Sequence, residues 1–163
     1  MKFLIGAALA AAAMLVAPLT AAADPLTYPA LKTMVTNTGF TTNELGSTES
    51  PKFEATVKTE SFNVPVGFEV TKSARYIWAS ASLGASKLTG DGALTALKRM
   101  TDIQPTSIWI TSKGTLMMGI AIDNRDVKPD TLKFVMDKLA GDVAKTADIW
   151  QGAPAATSAA KTP

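Results

Sequence analysis

Residues 62–83 read FNVPVGFEVTKSARYIWASASL, and both halves of this stretch alternate between two kinds of side chain. In the first half the residues of one parity are all apolar: Phe62, Val64, Val66, Phe68 and Val70. In the second half one parity is again apolar: Ile77, Ala79, Ala81 and Leu83. Successive side chains of a strand point to opposite faces of a sheet. The stretch therefore predicts two antiparallel strands with one buried face, and Pro65 marks an edge or a bulge because it has no N–H to donate.

The preceding residues continue the sheet and add a helix. Residues 52–60 alternate clearly and residues 40–45 more weakly, which predicts two further strands. Residues 29–37 instead show helical spacing, and Gly39 follows them as a stop signal. The apolar stripe of this short first helix contains Leu31, Met34 and Val35.

A second helix and a hairpin follow residue 83. Asp91 is placed to cap a helix whose apolar residues recur at helical spacing. Those residues are Ala93, Ala96, Leu97 and Met100. Residues 106–111 and 115–122 are two alternating runs separated by Ser112, Lys113 and Gly114, which predicts a β-hairpin.

The last helix is expected to run from the Pro129 region to Trp150. Proline is tolerated in the first turn of a helix, and Gly141 is the weak point of this one. Its apolar stripe contains Leu132, Val135, Met136, Leu139 and Val143. The sum is an α+β domain with a single antiparallel sheet of about five to six strands and helices on one face, in the order helix, strands, helix, hairpin, helix.

This pattern resembles the YbjN family, whose fold is that of the type III secretion chaperones. The likeness rests on the helix ending at Gly39-Phe40, the aromatic strand Tyr76-Ile77-Trp78, the hairpin at residues 108–116, and the closing helix at residues 130–150. It covers nearly the whole predicted domain. The resemblance implies a binding or chaperone-like module, sometimes described as a regulator of sensory transduction, and it implies no enzyme activity.

The two ends of the chain are expected to lie outside the domain. Residues 1–23 contain Lys2, an apolar run and the small-residue end Ala21-Ala22-Ala23, which together predict a signal peptide cleaved between Ala23 and Asp24. Residues 151–163 carry no large apolar side chain and predict a disordered tail rich in Ala, Pro, Ser and Thr. The sequence therefore predicts a domain at residues 24–150 in a periplasmic or secreted protein, with no membrane attachment after cleavage.

The composition limits the chemistry. The 163 residues include no cysteine and no histidine, which removes thiolate and imidazole nucleophiles, bases and metal ligands. With 16 basic and 14 acidic side chains the net charge is only +2, which does not favour nucleic acid as a partner. We therefore expect no enzyme activity, no cofactor and no metal.

Two motifs can be interpreted either as ligand sites or as ordinary turns and helix starts. Gly90-Asp91-Gly92 begins like a dinucleotide loop, but it lacks the third glycine and its flanking strands look antiparallel, so a helix start is favoured. Asp123, Asp126 and Asp130 could hold calcium, but their spacing is not that of an EF-hand and suits a turn followed by a helix start.

The candidate partner surface follows from strand parity. If the residues of one parity face the helices, then Tyr76, Trp78, Trp109 and Met117 point to the opposite face of the sheet. The helix-facing set is Ile77, Ala79, Ala81, Ile108, Ile110, Leu116, Met118 and Ile120. Large exposed apolar side chains usually mark an interface. A helix or the amino-terminal segment could also cover this face and make the same residues ordinary core.

Two functions fit these expectations. The leading one is a non-catalytic exported module that binds another protein, or a second copy of itself, through the sheet face. The alternative is a periplasmic carrier of a small apolar ligand or lipid held between the sheet and the helices. The cavity of such a carrier would be lined by Phe62, Phe68, Met118, Leu132 and Val135.

Overall fold

The computed structural model describes residues 24–151, so the predicted signal peptide and all but the first residue of the predicted tail lie outside the described residues. The helices are α1 (Tyr28–Asn37), α2 (Asp91–Arg99), α3 (Pro129–Lys145) and α4 (Ala147–Trp150), with a short 3₁₀ turn at Met100–Asp102. The strands are β1 (Thr42–Ser47), β2 (Ser50–Lys58), β3 (Asn63–Val70), β4 (Tyr76–Ala85), β5 (Ser107–Ile110) and β6 (Thr115–Asp123). Within these residues no helix has both the length and the apolar character needed to cross a membrane.

The six strands form one antiparallel sheet in the order β1-β2-β3-β4-β6-β5. Strands β1 to β4 follow one another as a meander, whereas the chain leaves β4 through α2 before the β5–β6 hairpin returns. Strand β6 pairs with β4, which places β5 at the edge of the sheet. The predicted α+β class, strand number and order of elements are confirmed.

The core lies between one face of the sheet and the helices α1 and α3. Phe53 and Phe68 stack with ring centroids 5.1 Å apart in the middle of the sheet. The fully buried side chains around them come from both helices and the central strands, and include Leu31, Val35, Ile77, Leu132, Met136 and Leu139. The strand parity expected from residues 62–83 is therefore the parity that is buried.

Pro65 lies in an inner strand, which corrects part of its interpretation. Strand β3 pairs with β2 on one side, where Pro65 is opposite Thr56, and with β4 on the other. The positions of β3 that pair with β4 are Gly67 to Val70 only. Pro65 therefore lies in a stretch of an inner strand that pairs on one side only, and such a stretch resembles the edge positions where proline is tolerated.

Helix α2 differs from its expected form at both its start and its packing. Gly90, with φ 47°, is the residue before the helix, and Asp91 is the first helical residue and makes no side-chain capping bond. Ala96 is buried, but Leu97 is 62% exposed instead of lying in the core. Helical spacing shows which residues lie on the same stripe of a helix, but it does not show whether that stripe is covered. In α2, which is short, the sheet covers only part of the stripe.

The closing helix, expected to run to Trp150 with Gly141 as its weak point, is interrupted at Thr146, and Gly141 lies within α3. The Thr146 hydroxyl donates to the carbonyl oxygen of Asp142 at 2.7 Å, and its backbone φ and ψ of −109° and 19° leave the helical region. Gly141 stays helical because its neighbours in the same turns are packed into the core. Pro129 begins α3, as expected.

Asn124 ties the start of the described chain to the sheet. Its fully buried side chain donates from Nδ2 to the carbonyl oxygens of Leu26 and Ala74, both at 2.9 Å. Its Oδ1 accepts from the Leu26 N–H at 3.0 Å. One amide thus satisfies three backbone groups, where the chain enters the domain beside the turn that precedes β4.

Candidate functional site

A row of small residues crosses the sheet on the face away from α1 and α3. Gly67 on β3 is opposite Ser80 on β4, Ser80 is opposite Gly119 on β6, and Gly119 is opposite Ser107 on β5. Because none of these four side chains is larger than serine, the row is lower than its surroundings. It forms a shallow trough that runs across the strands.

Each of the two rows beside the trough contains side chains much larger than serine, together with one small residue. On one side Glu69, Trp78 and Ala121 are opposite one another on β3, β4 and β6. On the other side Met117 on β6 lies between Ser82 and Trp109. The large apolar side chains of the walls are therefore Trp78, Trp109 and Met117, whereas Ala121 and Ser82 are small and Glu69 is charged.

The two tryptophans meet across the trough. Their ring centroids are 5.6 Å apart and the rings are inclined by 60°. Trp109 comes from the edge strand, and its ring lies over Gly119 to reach Trp78. This contact closes the trough at its β5 end and leaves it open over Ser80 and Gly67.

The open part of the trough is concave enough to hold a side chain. A groove of about 620 Å³ extends past the tryptophan pair, and an adjoining hollow of about 220 Å³ continues toward β1. The residues that line both are Lys52, Glu69, Ser80 and Met117. Trp78, Trp109 and Lys72 line only the first, whereas Leu45 lies at the far end of the second.

Charged side chains lie around the trough. Lys52 Nζ and Glu69 Oε2 pair at 2.6 Å on the adjacent strands β2 and β3. At the end nearer the β3–β4 turn, the Arg75 guanidinium lies 5.4 Å from the centre of the Tyr76 ring. Asp123 pairs with Arg125 there, and the hydrogen bond from Arg125 holds the pKa of this carboxyl below its usual range. With Lys72, this end carries more positive than negative charge.

The structure brings three of the four candidate surface residues together. Trp78, Trp109 and Met117 line the same groove, and Trp78 is 36% exposed. Tyr76 lies on the same face at the start of β4 and is 38% exposed, but it contacts Arg75 and does not line the groove. Strand parity alone placed these residues on one face, whereas their grouping depends on the strand register.

A second apolar surface lies at α2 and the edge strand β5, which the sequence assigned to the core. Leu97 and Ile110 are both exposed, Ile110 to 48%, although parity placed Ile110 toward the helices. They border a hollow of about 260 Å³. Its other lining residues are Leu88, Ala93, Ala96, Met100, Ile108, Trp109 and Leu116. Strand β5 has four residues and ends the sheet, so nothing in residues 24–151 continues the buried face beyond it.

The three aspartates considered for calcium have other roles. Asp123 pairs with Arg125, Asp126 lies 3.8 Å from Lys128, and Asp130 is in the first turn of α3. Within residues 24–151 no group of three or more acidic side chains is placed to hold a metal ion. The loop therefore has the arrangement of a turn leading into a helix.

No family model matches the chain, and no curated protein matches it. Among solved structures, a chain of the HopA1–SchA chaperone–effector complex is similar over 71% of this chain and 91% of its own, with 12% identity and a TM-score of 0.50. A chain of the heterodimeric ExoU–SpcU complex from the type III secretion system of Pseudomonas aeruginosa has 15% identity over 72% of this chain and 94% of its own, with a TM-score of 0.48. At such identities the first likeness concerns the fold alone. The chaperone-like fold is confirmed, and membership of the YbjN family stays a prediction.

Proposed function

We propose that the chain is an exported, non-catalytic module of chaperone-like fold that binds a partner protein through the open face of its sheet. The observation that carries this proposal is the groove lined by Trp78, Trp109 and Met117. Aromatic and methionine side chains are enriched in the contact regions of interfaces, and partly exposed tryptophans are frequent centres of binding energy.

The chemistry of the groove suits binding better than catalysis. Its polar groups are hydroxyls, the Lys72 ammonium and the Lys52–Glu69 pair, whose two side chains are both about 40% exposed. A nucleophile or general base usually needs a desolvated site and a partner that activates it. An exposed ion pair offers neither, but it can orient a polar group of a bound chain.

The packing of the core favours a protein partner over a small apolar ligand. Of the five residues that would line a carrier cavity, four are buried members of one packed cluster: Phe68, Met118, Leu132 and Val135. The fifth, Phe62, packs against Trp150 with ring centroids 5.2 Å apart. These contacts fill the space between sheet and helices that a ligand would need. Native mass spectrometry after gentle purification tests the alternative, because a carrier retains a small molecule.

The test of the proposed surface is capture of a partner by the mature chain. We expect the W78A/W109A variant to lose a partner that the unchanged chain captures from periplasmic extract. The matched control is Phe134→Ala, because Phe134 is a 60% exposed aromatic residue on α3, away from the sheet face. Equal capture by W78A/W109A, with an intact circular dichroism spectrum, would reject this surface.

Export is part of the proposal and has its own test. The chain recovered from the periplasmic fraction should have the mass of a protein that begins at Asp24. Recovery of the intact 163-residue chain from the cytoplasm alone would contradict the proposed location.

Self-association is a second candidate, favoured by the surface at α2 and β5. Leu97 projects beside the apolar hollow on the same side of the molecule. A two-fold axis brings the same patch of both copies together, so each copy can place its leucine against the other's hollow. Sedimentation at rising concentration tests this, and Leu97→Ser should leave a monomer if the surface is used.

A further inference from the structure

The trough has the length of a short extended segment of polypeptide. From Met117 on β6 to Leu45 on β1 the face crosses β4, β3 and β2, which makes four strand spacings of about 4.8 Å, or roughly 19 Å. An extended chain rises about 3.3 Å per residue, so about five or six residues span this distance. Gly67 and Ser80 let such a backbone approach the sheet closely on β3 and β4, whereas the same row continues on β2 with the larger Glu54.

The tryptophan end is shaped for a large apolar side chain. Trp78 stands on one side of the floor and Met117 on the other, while Trp109 closes the end. A side chain that enters here meets aromatic and thioether groups on three sides. Aromatic pairs and sulfur–aromatic contacts are both favourable, so an aromatic residue is the best occupant.

The charged residues near the tryptophan end determine which residues can flank the bound aromatic side chain. Lys52 and Glu69 pair with each other, and Asp123 is opposed by Arg125. Lys72 lines the groove and Arg75 lies over the Tyr76 ring at the same end of the sheet face. Neither takes part in an ion pair within residues 24–151. Glu54, which is also unpaired in that range, lines the hollow at the other end, so the excess of positive charge is confined to the tryptophan end. Carboxylates on a bound segment would meet these two cations, whereas additional lysines or arginines would be repelled.

We propose that the trough binds an extended segment of a partner polypeptide in which an aromatic side chain is flanked by acidic residues. The aromatic side chain occupies the space between Trp78 and Met117, and a flanking carboxylate reaches Lys72 or Arg75. This inference rests on the proposed function and names the chemistry of the partner for the same surface.

Three capped pentapeptides test the two parts of this recognition separately. The sequence GDFDG carries both features, GKFKG reverses the charge, and GDADG removes the ring. Quenching of tryptophan fluorescence reports binding to the mature chain. We expect GDFDG to bind at least about tenfold more tightly than either of the others, and we expect added salt to weaken it. Equal binding of GKFKG, or tighter binding of a single-stranded oligonucleotide, would overturn the proposal.

Charge-reversal variants place the recognition on the structure. K72E/R75E should lose the preference for GDFDG and gain affinity for GKFKG. Lys133→Glu is the control, because Lys133 is an exposed lysine on α3 that pairs with Asp137. An unchanged preference in K72E/R75E would overturn the role of these cations.

If GDFDG fails to bind while W78A/W109A still loses its partner, the partner chemistry is wrong and the surface is right. If W78A/W109A also keeps its partner, both proposals are wrong.

Discussion

The indole ring of Trp109 lies directly against the backbone of Gly119 on the neighbouring strand. A β carbon built on Gly119 would stand 2.8 Å from Cη2 of that ring and 2.7 Å from the carbonyl oxygen of Ala79. Real β carbons essentially never come so close to other heavy atoms. The absence of a side chain at Gly119 is therefore what allows Trp109 to cross β6 and meet Trp78.

Gly119→Ala should destabilise the fold by about 1 to 3 kcal/mol and shift the tryptophan emission, because a methyl group there displaces both the ring and a strand. The measurement is urea unfolding followed by fluorescence. Gly141→Ala is the control. It sits in the exposed interior of α3 with open space around it, so alanine should stabilise the protein by roughly 0.5 to 1 kcal/mol. If Gly119→Ala leaves the free energy of unfolding unchanged or raises it, as expected for Gly141→Ala, the packing of Trp109 on Gly119 is wrong.

Asn124→Ala should lower the free energy of unfolding by about 2 to 4 kcal/mol. The change leaves two carbonyl groups and one N–H without a partner where the chain enters the domain, and each unsatisfied buried group costs about 1 to 3 kcal/mol unless water reaches it. Asn124→Asp keeps the acceptor for Leu26 but not the donors, so it should also destabilise the fold. A loss below about 0.5 kcal/mol for both variants, which is the range of neutral surface changes, would contradict the tether.

Tyr28 should ionise late in an alkaline titration. Burial, its hydrogen bond to Glu44 and the charge of that carboxylate raise the pKa of Tyr28 to about 12. A raised pKa means that the contribution of Tyr28 to stability is complete below its ordinary pKa of 10.0 and is lost as the pH rises through about 12. The hydrogen bond from Lys32 and then that from Tyr28 hold the pKa of Glu44 below its usual range, so its contribution is lost only in acid.

The absorbance of tyrosinate measures this titration. Tyr28→Phe should remove the late phase. Glu44→Gln should move it part of the way back toward 10.0, because burial, the largest cause of the shift, remains. A late phase that does not move in Glu44→Gln would show that Glu44 does not influence Tyr28.

Leu97→Ser should leave the stability of a monomer within about 0.5 kcal/mol of the unchanged chain, since Leu97 is mostly exposed. Leu139→Ala on α3 is the comparison, and it should cost about 2 to 5 kcal/mol because Leu139 is fully buried. Thermal unfolding at low protein concentration separates the two. A loss of similar size in both variants would place Leu97 in the core, as its helical spacing suggested.

Much of the fold follows from local patterns in the sequence. The alternation in residues 62–83 depends only on which side chains share a face, and the buried residues of β3 and β4 follow it. Helix α3 could be predicted equally well, because its apolar stripe is buried from Leu132 to Val143. Leu97 and Ile110 show the limit of this reasoning. A pattern indicates a potential core face, but the edge of the sheet decides whether anything covers it.

Only part of the candidate site could be predicted from the sequence. Parity placed Trp78 and Trp109 on one face, but the trough between them requires Ser80 to lie opposite Gly119. That pairing joins residues separated by a helix and a strand, and no local spacing specifies it. The ion pair between Lys52 and Glu69 was missed for the same reason, because it depends on the register of β2 against β3.

The strand order has a consequence for when binding becomes possible. In the meander of β1 to β4, each strand pairs with its neighbour along the chain. Strands β4 and β6 also pair, but α2 and β5 lie between them in the sequence. A pairing that closes a longer loop loses more chain entropy when it forms. We therefore expect the β5–β6 hairpin to pair with β4 after the meander has formed. Trp78 belongs to the early part and Trp109 to the late part. We therefore expect the groove between them to form only when folding is complete, so that the capture of a partner also reports a fully folded domain.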